Sequence, residues 1–181
     1  MLFRSKYAVL TTKHHDGFCL WPSRHTPYSV AQSPGRKDVV RLFVDAFRDA
    51  GLKVGLYYSL WDLHAECYQN DDAYAHYMQN QIRELLTDYG PILELWFDGG
   101  WDKEFPSRQW PWEEQYRASV PSEVLHGGRW RWRELYELIH QLQPECLVIN
   151  NSSSDRPGQS RYHPIDLRTR SEEHTSELQS H

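Results

Sequence analysis

The sequence predicts an α/β fold, part of a (β/α)8 TIM-type barrel that contributes about four parallel strands and three helices. Short apolar runs rich in β-branched residues alternate with longer segments of helical period, the pattern of parallel strands joined by crossover helices. Polar and aromatic residues stand just past each apolar run, and function gathered at the carboxyl ends of successive strands marks a barrel enzyme. No G-x-G-x-x-G or P-loop follows any strand, which removes the usual advertisement of an open doubly wound sheet. A complete barrel needs roughly 200–250 residues and eight strands. The 181 residues here supply only part of one.

The first predicted strand is Tyr7-Ala-Val-Leu-Thr-Thr12, a short apolar and β-branched run. A loop rich in Pro, Ser and Gly follows, and Asp38 opens a helix in which Val39, Leu42, Phe43, Ala46 and Phe47 recur at helical spacing before Gly51 stops it. Lys53-Val-Gly-Leu-Tyr-Tyr58 is the second strand. A second helix is predicted from about Asp72 to Tyr89, with Tyr74, Tyr77, Met78, Ile82, Leu85 and Leu86 on one face and Gly90-Pro91 at its end. Ile92-Leu-Glu-Leu-Trp-Phe97 reads as the third strand. The segment from Gly99 to Gly128, with Pro106, Pro111 and Pro121, reads as a long loop. A third helix near Trp130 to Gln143 leads through Pro144 to a fourth strand, Cys146-Leu-Val-Ile-Asn150.

Composition narrows the function. Lys plus Arg number 20 against 25 Asp plus Glu, a net charge of −5, and no basic run occurs, which argues against a nucleic-acid partner. No stretch of 18 apolar residues exists to span a membrane. Cys19, Cys67 and Cys146 are odd in number and lack C-x-x-C spacing, so they suggest neither a disulfide framework nor a zinc site. No signal-peptide pattern precedes Tyr7, and neither compartment nor oligomeric state is marked by any motif. Aromatic residues make up 14%, with 8 Trp and 11 Tyr; they serve either to hold a flat ligand face or simply to fill a bulky core.

Asp98 is the leading candidate for chemistry. It follows an apolar strand, precedes two glycines and is flanked by Trp96, Phe97 and Trp101, where a carboxylate is poorly solvated and tunable. The structural alternative is an Asp that only bonds the following turn. His14 and His15 are adjacent, so on an extended backbone they would point to opposite sides, one facing a site while the other is oriented by packing or hydrogen bonding. Tyr57 and Tyr58 should likewise diverge, one into the barrel and one toward the helices. A metal centre built from His14, His64 and Asp98 is a rival reading, but no H-x-H or H-E-x-x-H pair fixes two ligands on one face. Among the tryptophans, Trp101 beside Asp98 is the one best placed to stack on a sugar; for the others packing is the better reading. Asn150 and Asn151 either bond a ligand or close the strand.

The run Tyr7-Ala-Val-Leu-Thr-Thr-Lys-His-His-Asp-Gly-Phe18, then Gly51-Leu-Lys-Val-Gly-Leu-Tyr-Tyr-Ser59, then Leu95-Trp-Phe-Asp-Gly-Gly-Trp101, strongly resembles the alpha-L-fucosidase family of retaining glycoside hydrolases. Ile149-Asn-Asn151 resembles the next strand end of that family, and the likeness covers roughly residues 6–151. It implies a (β/α) barrel, often followed by a β-sandwich. It further implies that Asp98 is the nucleophile that forms a covalent fucosyl-enzyme, that His14 and His15 bond fucose hydroxyls, and that Tyr57 lines the site. No cofactor or metal is implied, and the partner is a fucosylated glycan or glycoconjugate. A retaining glycosidase needs two carboxyl groups about 5–5.5 Å apart, one attacking and one acting as acid and then base.

The departures from the family pattern are specific. Its early His-Trp-Gly strand does not occur, Leu63 stands where members often have Trp, and Ser152 follows Asn-Asn where some have Arg. The family's acid/base Glu lies beyond the fourth strand, yet Asn151 to Thr169 contains only Asp155 and Asp166 as acids, so no acid/base is assigned. Arg170 to His181 resembles the translation of a sequencing-library adapter, which divides the chain into an incomplete catalytic barrel, 1–169, and a non-native tail, 170–181. The expected function is therefore a fragment of a retaining exo-alpha-L-fucosidase, inactive in isolation. The alternatives are a metal-dependent barrel hydrolase using His14, His64 and Asp98, or a sugar-binding relic that does not cleave.

Overall fold

The computed structural model describes residues 5–99, 130–150 and 167–168. Its elements run β1 Tyr7–Lys13, α1 Val39–Asp49, β2 Lys53–Ser59, α2 Asp71–Asp88, β3 Glu94–Asp98, α3 Trp132–Leu142, β4 Leu147–Asn150 and the two-residue β5 Leu167–Arg168. All neighbouring strands are parallel, in the order β1-β2-β3-β4-β5. Strands paired strictly in chain order never reverse direction across the sheet, so no switch point of the doubly wound kind exists among them. This is the winding of a (β/α) barrel of TIM type. The short β5, after the four predicted strands, was not legible from its sequence.

Local chemistry explains the helix boundaries. Asp38 caps α1 by accepting from the Arg41 amide at 2.9 Å, and Asn70 caps α2 by accepting from the Ala73 amide at 3.0 Å. The third strand starts at Glu94 rather than Ile92, because the Gln143 side chain occupies the turn before it. Its amide oxygen accepts from Ile92 N at 2.7 Å, and its NH2 donates to Leu86 O at 2.7 Å and Gly90 O at 2.9 Å. One side chain thus joins the ends of α2 and α3 to the start of β3.

The sheet has two unlike faces. Leu56, Tyr58, Leu95, Phe97 and Val148 are fully buried in the core against the helices. Phe97 packs edge-on to Trp132 of α3 at 5.5 Å, and Tyr58 donates to Gln81 Oε1 of α2 at 2.6 Å. Tyr57, Trp96 and Asp98 lie on the opposite face, as the two-residue period requires. A register shift between Thr11 and Lys13 interrupts the alternation at the end of β1, so Lys13 falls opposite Tyr58 rather than Ser59. The core also takes in polar groups. Glu84 of α2 accepts from Trp21 Nε1 and from the Arg24 amide, both at 2.8 Å, and Gln81 donates to Tyr77 OH at 2.9 Å.

No described helix is long and apolar enough to cross a membrane. Because Gln143 satisfies three backbone groups, one of them on buried Ile92, Gln143→Ala should lower stability by about 1–3 kcal/mol. A urea titration should show this as a lower midpoint at unchanged slope; an unchanged midpoint would mean that water replaces all three bonds.

Candidate active site

The inward-facing residues at the carboxyl ends of β1, β2 and β3 converge. Tyr57 OH donates to Asp98 Oδ2 at 2.9 Å. Ser59 and Asp98 are register partners, and the Leu60 amide donates to Asp98 O at 2.7 Å, so the ends of β2 and β3 are tied through main chain as well as side chains. Burial, then the negative charge of Asp98, then the hydrogen bond to it, push the Tyr57 phenol well above the usual tyrosine range. The phenol therefore remains the donor and Asp98 the acceptor across physiological pH. That bond fixes the rotation of the carboxylate in a half-buried setting.

The two histidines do not diverge as an extended backbone would require. The strand ends at Lys13, and a turn closed by Gly17 N donating to His14 O at 3.0 Å carries both residues. Their ring centroids lie 4.0 Å apart. His14 is exposed and stacks on Tyr57 at 5.7 Å with an 11° interplanar angle, and His15 leans on Trp61 at 5.2 Å. His15 Nδ1 lies 2.7 Å from Ser59 Oγ, while that hydroxyl also lies 2.7 Å from Trp61 O. A hydroxyl has one proton, and the carbonyl can only accept it. Ser59 Oγ must then accept from His15, which assigns a proton to Nδ1.

Gly99 closes the constellation from the β3 side. With φ +82° it holds a left-handed conformation, and a Cβ there would lie 2.6 Å from His15 Cε1 and 3.3 Å from Ser59 Oγ. The glycine after Asp98 is thus a requirement of His15. Asp98, Tyr57, His14 and His15 share one rim, a carboxylate beside hydrogen-bonding rings with aromatic walls. Such an arrangement suits a polyhydroxylated ligand with an electrophilic carbon.

The other predicted positions are placed differently. His64 stacks on Tyr28 at 3.9 Å, and among the described residues no three His, Cys, Asp or Glu side chains gather as a metal site would require. Trp101, Asn151, the Gly100 to Gly128 segment and the tail from Arg170 lie outside the described residues, as does the Asn150 side chain. Ser59, Trp61, Trp96 and Gly99 belong to the rim by contact, although the sequence did not single them out as site residues. Parity offered a signal for two of them: Ser59 is two residues past Tyr57, and Trp96 two before Asp98, so each shares its neighbour's face.

The Tyr57 phenol gives a pH test. Its folded pKa is raised above its unfolded value of about 10, so its contribution to stability is complete below about pH 10 and is lost as the pH rises beyond it. Stability measured by urea at about pH 9 and pH 11 should fall less in Tyr57→Phe than in the unaltered chain. Equal losses would contradict the burial of this phenol beside Asp98.

Comparison with known proteins agrees with these features. The family model described as Alpha-L-fucosidase matches residues 5–181. Alpha-L-fucosidase 1 of Arabidopsis thaliana is 37% identical over 155 residues, covering 81% of this chain and 26% of the relative; plasma alpha-L-fucosidase of Rattus norvegicus is 34% identical, covering 82% and 38%. The chain therefore spans about a quarter to two-fifths of the length of these relatives. Among solved structures, a glycoside hydrolase 29 family member from an unknown rumen bacterium superposes with a TM-score of 0.66 at 39% identity, covering 90% of this chain and 27% of that one. An alpha-L-fucosidase of the same family from Bacteroides thetaiotaomicron, solved as a mutant's trapped covalent intermediate with 2-fluoro-fucosyl fluoride, superposes at 0.61 and 29% identity, covering 80% and 31%. Residues 5–181 thus place the chain in the alpha-L-fucosidase family of glycoside hydrolases.

Proposed function

We propose that this chain is a segment of the catalytic barrel of a retaining exo-alpha-L-fucosidase, with Asp98 as its nucleophile and a terminal α-L-fucosyl group of a glycan or glycoconjugate as its substrate. The observation that carries the reading is the Tyr57–Asp98 hydrogen bond of 2.9 Å at a rim shared with His14 and His15. In the first step an Asp98 oxygen forms a bond to the anomeric carbon while the glycosidic C–O bond breaks, and its electron pair leaves on the aglycone oxygen. Water then displaces the carboxylate, and two inversions give net retention. The imidazoles of His14 and His15 orient the sugar through its hydroxyls, and Tyr57 holds the carboxylate in line. Trp101, next to the Asp98–Gly99 turn in sequence, is proposed as a stacking face. The covalent intermediate captured in the Bacteroides relative supports the same class of chemistry.

The acid/base is not among the residues assigned to the site, and Asn151 to Thr169 offers no Glu for it. Loss of a general acid costs about 10²–10⁴-fold in rate, so the isolated chain should barely cleave fucosides whose leaving group is an alcohol. A sugar-binding relic that does not cleave is the second reading, favoured by the histidine pair stacked beside Tyr57. One experiment separates the two. Fluoride departs without protonation, so 2-fluoro-fucosyl fluoride should label the chain on Asp98, read by peptide mass spectrometry. Asp98→Asn should abolish the label. A chain that binds L-fucose yet never labels is the relic, and normal turnover of an alkyl α-L-fucoside would refute the missing acid.

A further inference from the structure

A buried polar cluster lies on the helix side of the sheet, behind the histidine turn, and the chemistry assigned to Asp98 makes no direct use of it. Lys13 has no exposed surface. Its ammonium lies 2.8 Å from Asp62 Oδ2, 2.9 Å from Tyr58 OH, 3.2 Å from Tyr74 OH and 4.2 Å from the centre of the Tyr58 ring. The other Asp62 oxygen accepts from the amides of His64 and Ala65 at 3.0 and 2.8 Å. Gly17 packs against that same oxygen so closely that a Cβ would stand 2.2 Å from it. Lys13 and Gly17 bracket His14, His15 and Asp16, and Asp62 touches both brackets. The adjoining Leu63 amide donates to His15 O at 2.9 Å.

Unbroken alternation would have placed these residues differently. With Thr11 opposite Tyr57, a regular ladder sets Lys13 opposite Ser59, on the face that carries Asp98, and turns His14 toward the helices. The bulge moves Lys13 to the position opposite Tyr58 and hands the inward place to the histidine turn. An ammonium enters a core only where a counter-charge and acceptors await it. Asp62 and the two phenols are that reception.

We infer that the Lys13–Asp62 ion pair is the positioning device of the site: by holding Lys13 on the helix side it keeps the β1 bulge in register and so delivers both imidazoles to the face of Tyr57 and Asp98. Its functional meaning rests on the reading of that face as a fucose site. Neither residue touches substrate; both are positioning residues.

Nuclear magnetic resonance on the whole 181-residue chain tests this. The double variant Lys13→Met/Asp62→Asn removes both charges at once and strands neither. With folding verified by circular dichroism, the cross-relaxation between the His14 and Tyr57 rings should disappear; its persistence in the folded variant would overturn the inference. Should the variant not fold, the unaltered chain decides. Contacts from the Lys13 side-chain protons to the Tyr58 and Tyr74 rings sustain the inference, and contacts to Ser59 instead overturn it. Titration of the unaltered chain with L-fucose separates the two layers, because absent binding with intact ring contacts would sink the sugar reading while leaving the positioning inference in place.

Discussion

One extra residue in β1 governs how this molecule presents its chemistry. A strand alternates its side chains with a period of two, so a single inserted position exchanges the two faces for everything downstream. The register shift between Thr11 and Lys13 does this at the last residues of the strand, where the exchange no longer disturbs the packing of Leu10 against the core. It turns a cation toward the helices and two imidazoles toward the rim. The same carboxylate that receives the cation also supports the next loop, so the ends of β1 and β2 are organised around Asp62.

The rim is a consequence of parallel pairing in chain order. Neighbouring parallel strands bring their carboxyl ends to one side, and register sets the depth of each side chain. Tyr57 lies level with Trp96, and Ser59 level with Asp98. A hydrogen bond between Tyr57 and Asp98 is the natural diagonal of that lattice. The Ser59 hydroxyl, committed to a backbone carbonyl, holds a proton on His15 Nδ1, and Gly99 leaves that ring its space. Each contact uses a residue one or two positions from a strand end, which is why the rim is compact although its members come from three strands.

Much of this was legible in the sequence. Apolar runs, helix caps and the alternation of strand and helix are local signals, and they located the first four strands and the three helices to within about two residues. Asp38 acts through its own following turn and was read from the sequence; the Asn70 cap, equally local, was not. The polar core was not legible. Lys13, Gln81 and Glu84 carry no apolar signal, and their partners stand far away in sequence, Asp62 at 49 residues from Lys13 and Trp21 at 63 from Glu84. The bulge was hidden for the same reason, since nothing in Thr-Thr-Lys announces an extra position until Asp62 and Tyr58 are brought to meet the lysine. The expectation that the two histidines diverge failed at that point. Asp98 could be named because an Asp after an apolar strand and before glycine is a local pattern, whereas Tyr57 was told from Tyr58 only by the resemblance to the fucosidase family. Their hydrogen bond is a property of register.

The proposed chemistry requires Asp98 to face the anomeric carbon of a bound deoxy-sugar. A structure of the unaltered chain with L-fucose measures this directly. It should place an Asp98 carboxylate oxygen about 3–3.5 Å from C1, opposite the anomeric hydroxyl, with the ring hydroxyls against His14 and His15. A fucose whose C1 points away from Asp98, or one seated elsewhere on the molecule, would contradict it.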